Sequence, residues 1–133
     1  LKAMSGQELV GQLLDVELGH RGSSLLKTTE EMGFSKTKVI RGHHIFAQAN
    51  SLAVALVDSP VVFTATAEIH FLHPVYSGES IFCQAEVVSV NGNRTLVEVK
   101  SKVSGREVFA GRFEVVAIET WDAARGETGN PEG

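Results

Sequence analysis

Arg41-Gly42-His43-His44-Ile45-Phe46-Ala47-Gln48-Ala49-Asn50-Ser51-Leu52-Ala53-Val54-Ala55-Leu56-Val57 decides the fold. The run opens on a cation and a glycine and is then apolar on almost every side. A helix with that pattern has to be buried on several faces. Its spacing predicts a helix from His43 or His44 to Val57. Asp58-Ser59-Pro60 ends it, because proline disfavours a helical residue before it and cannot donate to the ladder.

The segments after this helix alternate with the period of strands, over 62–72, 80–90, 94–104 and 107–118. In the first of them Ala65, Ala67, Ile69 and Phe71 fall on one face and Thr64, Thr66, Glu68 and His70 on the other. The small alanines let the helix come close. Asn91-Gly92-Asn93 and Gly105-Arg106 are hairpin turns. Upstream, a first strand is expected over 23–31 and broken by Gly33, with a loop or short strand over 34–40. One apolar helix facing many antiparallel strands is an α+β layer architecture. A long curved sheet wrapped round a single helix is the hotdog fold. Such a sheet leaves edges, and pairing with a second copy is the simplest way to cover one. A homodimer is expected, with ligand sites at or near the subunit interface.

At the N-terminus, Ser5-Gly6-Gln7-Glu8 has capping-box spacing, and Leu9, Val10, Leu13, Leu14 and Leu18 recur at helical intervals. An amphipathic helix over 5–18 is expected. The organisation read from the chain is a linker helix over 1–19, a hotdog domain over 20–120 and a frayed acidic tail over 121–133.

Composition narrows the function. The chain has 133 residues, one domain's worth, and a net charge of −4. It lacks the basic surface that dominates nucleic-acid affinity. No apolar run is long enough to span a bilayer, and Leu1-Lys2-Ala3-Met4 does not read as a signal peptide. Cys83 is the only cysteine, which rules out an internal disulfide and points to inert packing. A cytoplasmic location is the default expectation.

Arg41 is the leading candidate for chemistry. Its guanidinium offers a fork matched to a carboxylate or phosphate. Gly42 lets a ligand approach the backbone, and the helix start adds free N–H donors. An ordinary surface ion pair explains Arg41 equally well from spacing alone. Asn50 sits within the apolar helix and needs a partner, either in the core or on a ligand, since an unpartnered buried amide costs ~1–3 kcal/mol. His43 and His44 are adjacent on a helix and cannot chelate one ion as a pair. His70 and His73 fall on opposite faces of a strand, and no metal-ligand spacing occurs. No metal is expected. Ser51 has no evident base. No Asp or Glu lies between Gly42 and Val57, while Glu68 and Glu114 read as solvated strand charges. Catalytic residues are therefore not expected.

The run from Arg41 to Ala55 closely resembles the central motif of the FapR family, bacterial repressors of fatty-acid and phospholipid synthesis genes that sense malonyl-CoA. Leu13-Leu14-Asp15-Val16-Glu17-Leu18 resembles its linker helix, and 63–69 and 111–114 resemble its strands. The resemblance spans about Glu8 to Val116. It implies a hotdog dimer that holds the malonyl carboxylate on Arg41 beside Gly42, with Phe34 lining the pocket and Asn50 contributing from the helix. Lys36 and Lys38 are weaker candidates for the phosphates. Malonyl-CoA is thus the implied effector, and no cofactor is implied. DNA is implied as a partner only through an N-terminal helix-turn-helix domain that this stretch does not contain. The rival reading is an acyl-CoA thioesterase of the same fold, and the blandest one a dimerisation module without a ligand.

Overall fold

The computed structural model describes residues 9–118. Helix α1 covers Gly42–Ala55, with Arg41 extended at its N-cap. Before it come strands β1 (Gln12–Glu17) and β2 (Arg21–Lys27) and one 3-10 turn at Glu30–Met32. After it come β3 (Val61–Phe71), β4 (Ser80–Asn91), β5 (Arg94–Val103) and β6 (Arg106–Ile118). All six strands join one sheet in the order β1-β2-β4-β5-β6-β3, and every neighbouring pair is antiparallel.

The helix is apolar all round because it touches β2, β3, β4, β5 and β6. A single sheet can do that only by curling round it. Ile45, Ala49, Leu52, Ala53 and Leu56 pack against Ile81, Val97, Val99, Phe109 and Phe113 in one continuous core. Leu52 and Leu56 are wholly buried, and each such side chain contributes about 1.5–3 kcal/mol of transfer free energy. Gly111 keeps this core closed: a Cβ there would lie 2.8 Å from Phe113 Cε1. The last hairpin turns through Ser104 (φ 51) and Gly105 (φ 81), the left-handed pair that matches strand twist.

Three expectations are corrected. The helix expected over 5–18 is strand β1 where it is described: Gln12 pairs with Leu25 and Glu17 with Arg21. Residues 1–8, which hold the start of that expected helix, lie outside the described residues. The apolar spacing was ambiguous, and the open edge of β2 decided it. A free row of backbone donors and acceptors recruits any adjacent segment that can extend. Gly11 (φ 93) turns the chain into β1 and Gly19 (φ 79) out of it. Val16 joins the core margin, while Leu13 and Leu14 are exposed. The first strand also ends earlier than expected, at Lys27, and Glu30–Met32 forms the 3-10 turn instead.

The third correction concerns β3. Its register shifts between Thr64 and Thr66. This bulge breaks the strict alternation, so Thr64 lies on the helix side with Ala67, Ile69 and Phe71 rather than opposite them. The acidic tail over 121–133 lies outside the described residues.

Candidate functional site

One stripe of α1 runs along the edge strand β3. Gly42, Phe46 and Asn50 are spaced four residues apart and so share a helix face. A Cβ on Gly42 would lie 3.2 Å from Phe71 Cζ. Phe46 meets Phe113 with ring centroids 5.8 Å apart. The Asn50 carboxamide oxygen accepts a hydrogen bond from the Thr64 hydroxyl. Helix and strand therefore run in opposite directions, from Gly42 beside Phe71 to Asn50 beside Thr64. The two positions are roughly 12 Å apart along the helix axis.

Arg41 sits at the Phe71 end of this stripe. Its Nη1 donates to the carbonyls of Glu31 and Gly33, at 3.2 and 3.1 Å. Its guanidinium carbon stands 4.7 Å from the Phe34 ring centroid, a cation–π arrangement. Its backbone N–H donates to Met32 O at 2.9 Å. These contacts orient the side chain without neutralising it. Two other arginines of the sheet are spent: Arg94 lies 3.1 Å from Glu114, and Arg112 pairs with Glu98. No carboxylate pairs with Arg41 among the described residues. Phe34 is half exposed, held in a tight loop where Phe34 N–H donates to Val39 O and Lys38 N–H to Phe34 O. Lys36 and Lys38 are exposed on the same loop.

The environment favours a neutral imidazole at His44, beside this cation. His44 titrates below the ordinary imidazole value, because burial disfavours its charged form and His43 and Arg41 add repulsion. The two histidine rings lie tilted at 38° with centroids 4.0 Å apart, closer than their divergent spacing implies. Among the described residues no group of three or more metal-type side chains forms a site.

Asn50 is only half-buried, and its Nδ2 makes no hydrogen bond among the described residues. Thr64 was invisible as its partner in the sequence because a bulge puts it there. Ser51 ties the chain entry to the helix. Its Oγ accepts from Val10 N–H at 3.1 Å and donates to Gln48 O at 3.0 Å. Gln48 is fully buried, and its Nε2 donates to Ser24 Oγ at 3.2 Å and Ile81 O at 3.1 Å. Gly42 leaves room for the Phe71 ring, which is the close approach that the structure records there.

A curled antiparallel sheet round one buried helix defines a hotdog domain, and among the described residues no carboxylate pairs with the cation at that helix's start. The chain belongs to the Thioesterase superfamily, whose family model matches residues 40–110. Within that superfamily it resembles transcription factor FapR. It is 44% identical over 119 residues to transcription factor FapR of Caldanaerobacter subterraneus, covering 90% of this chain and 60% of that protein. It is 43% identical over 117 residues to transcription factor FapR of Bacillus subtilis, covering 86% and 62%. The chain thus spans about three fifths of the length of these relatives. An uncharacterized protein of Pyrococcus horikoshii has the same fold at a TM-score of 0.80 and 28% identity, covering 84% of this chain and 85% of that one. A hypothetical thioesterase of Streptococcus pneumoniae, solved with coenzyme A, shares the fold at a TM-score of 0.73 and 13% identity, with 82% and 86% covered.

Proposed function

We propose that this chain is the ligand-sensing domain of a transcriptional repressor of lipid synthesis genes, and that malonyl-CoA, or malonyl carried on acyl carrier protein, is its effector. The observation that carries this reading is Arg41. It is a guanidinium held in place by two backbone carbonyls and an aromatic ring, with no carboxylate of its own among the described residues. A carboxylate arriving from solution finds that charge pre-oriented, and pre-orientation lowers the cost of binding. Asn50 Nδ2 offers a donor further along the stripe for an amide or thioester carbonyl, and Phe34 walls the entrance. The chain works as a homodimer joined along β3, so that the stripe from Arg41 to Asn50 lies at the subunit seam. Release of DNA by the parent repressor requires that the effector bind one arrangement of the preceding segment better than another. Val10, tied to Ser51 on α1, is where that segment meets the domain. The protein acts in the cytoplasm and is not an enzyme.

The second reading, an acyl-CoA thioesterase, is favoured by membership of the superfamily. Against it, α1 carries no Asp or Glu to serve as general base. Titration calorimetry with malonyl-CoA and acetyl-CoA in parallel, with thiol release followed in the same samples, separates the readings. Selective malonyl-CoA binding without turnover is expected. Equal affinity for the two ligands would overturn the effector assignment, and steady release of coenzyme A would make the chain a thioesterase.

A further inference from the structure

Positive charge gathers at the start of α1 with no paired carboxylate among the described residues. Arg41 is the N-cap, and the first turn of the helix carries no acidic residue. The N-terminal end of a helix is itself partly positive. His44 stands in that turn, its backbone N–H donating to Arg41 O at 3.1 Å. The His43 ring lies against the His44 ring, with centroids 4.0 Å apart. His44 is half-buried and His43 exposed. The elements around this corner do little to balance it. The 3-10 turn brings Glu30 and Glu31, both exposed, and Arg41 meets the backbone carbonyl of Glu31. The loop over 34–40 brings Lys36 and Lys38, which are further cations. The strands that α1 touches bury no charged side chain among the described residues.

We propose that His44 is the proton-linked member of the Arg41 site: a ligand carboxylate seated at Arg41 brings a proton onto the His44 imidazole, which then stands as a second cation beside the acid. This rests on the effector reading and deepens it, because selectivity for the acid becomes a function of pH. In the free chain, burial, His43 and Arg41 together hold the His44 imidazole below its ordinary value, so the ring is neutral at neutral pH. A carboxylate at Arg41 cancels the repulsion from that guanidinium and sets a negative charge near the ring, which favours the charged form again. Between the lowered value of the free chain and the higher value of the complex, the complex holds more protons. Affinity for the acid therefore climbs as pH falls through that window and is level above it. A neutral acyl group, such as that of acetyl-CoA, brings no charge to Arg41 and produces no such climb.

Titration calorimetry of the full chain with malonyl-CoA and acetyl-CoA, between about pH 7.5 and about pH 5.5, tests this. The phosphates of coenzyme A titrate in that range too, but both ligands carry them, so the ratio of the two affinities isolates the acid. The ratio should rise roughly three- to tenfold as pH falls, since a pKa that moves by one is a tenfold change. The ring signal of His44 in nuclear magnetic resonance should titrate at higher pH with malonyl-CoA bound than with acetyl-CoA bound. In His44→Gln the ratio should be the same at every pH. His20→Gln should keep the rise, because His20 lies at the far end of α1, where Gly19 N–H donates to Leu56 O at 2.9 Å. A malonyl preference that ignores pH in the unaltered chain overturns this inference and leaves the effector reading standing. So does a rise that survives His44→Gln, because another group then takes the proton. A His44 signal that titrates alike with both ligands overturns it without any substitution. Equal affinity for the two ligands at every pH overturns the effector reading and this inference together.

Discussion

Replacing Arg41 by alanine removes a charge that no other residue of the stripe supplies at the start of α1. A charge-assisted hydrogen bond contributes about 1.5–3 kcal/mol, so malonyl-CoA affinity should fall roughly 10- to 150-fold. Acetyl-CoA affinity should change little, because that ligand has no carboxylate to lose. Calorimetry on both ligands checks this, and unchanged malonyl preference would show that another group holds the carboxylate. Arg41→Lys should recover only part of the preference, since an ammonium cannot keep two backbone carbonyls and a bidentate ligand together. Gly42 tests the packing beside it. A Cβ there meets Phe71 at 3.2 Å, so Gly42→Ala should lower the melting temperature, and the loss should be relieved when Phe71→Ala is added. Additive losses in that double-mutant cycle would disprove the contact.

Cys83 supplies a pH test of the core. It is fully buried, and burial pushes its thiol from an ordinary 9.0 up to about 11, against smaller opposing contributions from Ser101 and Ser24. Between those values the unfolded chain loses the thiol proton and the native state keeps it. The unfolded state therefore binds fewer protons, and stability falls as pH rises from 9 toward 11. The loss is on the order of 2–3 kcal/mol. Denaturant titrations should show this slope in the unaltered chain and not in Cys83→Ala. A thiol reagent should react only as fast as the protein opens.

Strand β3 shows how one extra residue redirects an element. Without its bulge, Thr64 would point away from α1 with Thr66 and Glu68. With it, the Thr64 hydroxyl reaches Asn50. Thr64→Val should remove the hydrogen bond to the half-buried Asn50 oxygen and cost about 0.5–1.5 kcal/mol. Asn50→Leu combined with Thr64→Val should recover part of that in chemical denaturation. No recovery would mean that the asparagine is held by something else. Strand β1 teaches a related lesson. The intervals of Leu13, Leu14 and Leu18 satisfy a helix, yet the segment pairs with β2. Local spacing states a preference, and an unpaired sheet edge overrides it because backbone groups must find partners.

At the scale of the molecule, the sheet formed by the described residues has two edges, β1 and β3. Strand β3 is the longer, with eleven residues, and Phe63, Phe71 and Leu72 on or just past it are 45%, 51% and 43% exposed. A long apolar edge of this kind calls for a partner. Light scattering should give a dimer, and Phe63→Lys, which charges the edge without touching the core, should shift it toward monomer. An unaltered chain that is monomeric at micromolar concentration would remove the seam from the effector site.

The buried helix, its end at Asp58-Ser59-Pro60, the four strands after it and their turns are all legible in the residues themselves, because apolar periodicity and turn residues act locally. Arg41, Gly42 and Asn50 are legible as candidates because they stand out in an apolar run that resembles a known motif, and Phe34 only through that resemblance. Their arrangement is not. That Arg41 is pinned by carbonyls depends on residues ten and eight positions away. That Asn50 meets Thr64 depends on a bulge, and that 12–17 is a strand depends on a vacant edge. Hydrogen-bond partners and strand pairings are settled by which backbone groups remain unpaired once the chain has closed on itself, and no window of sequence contains that information.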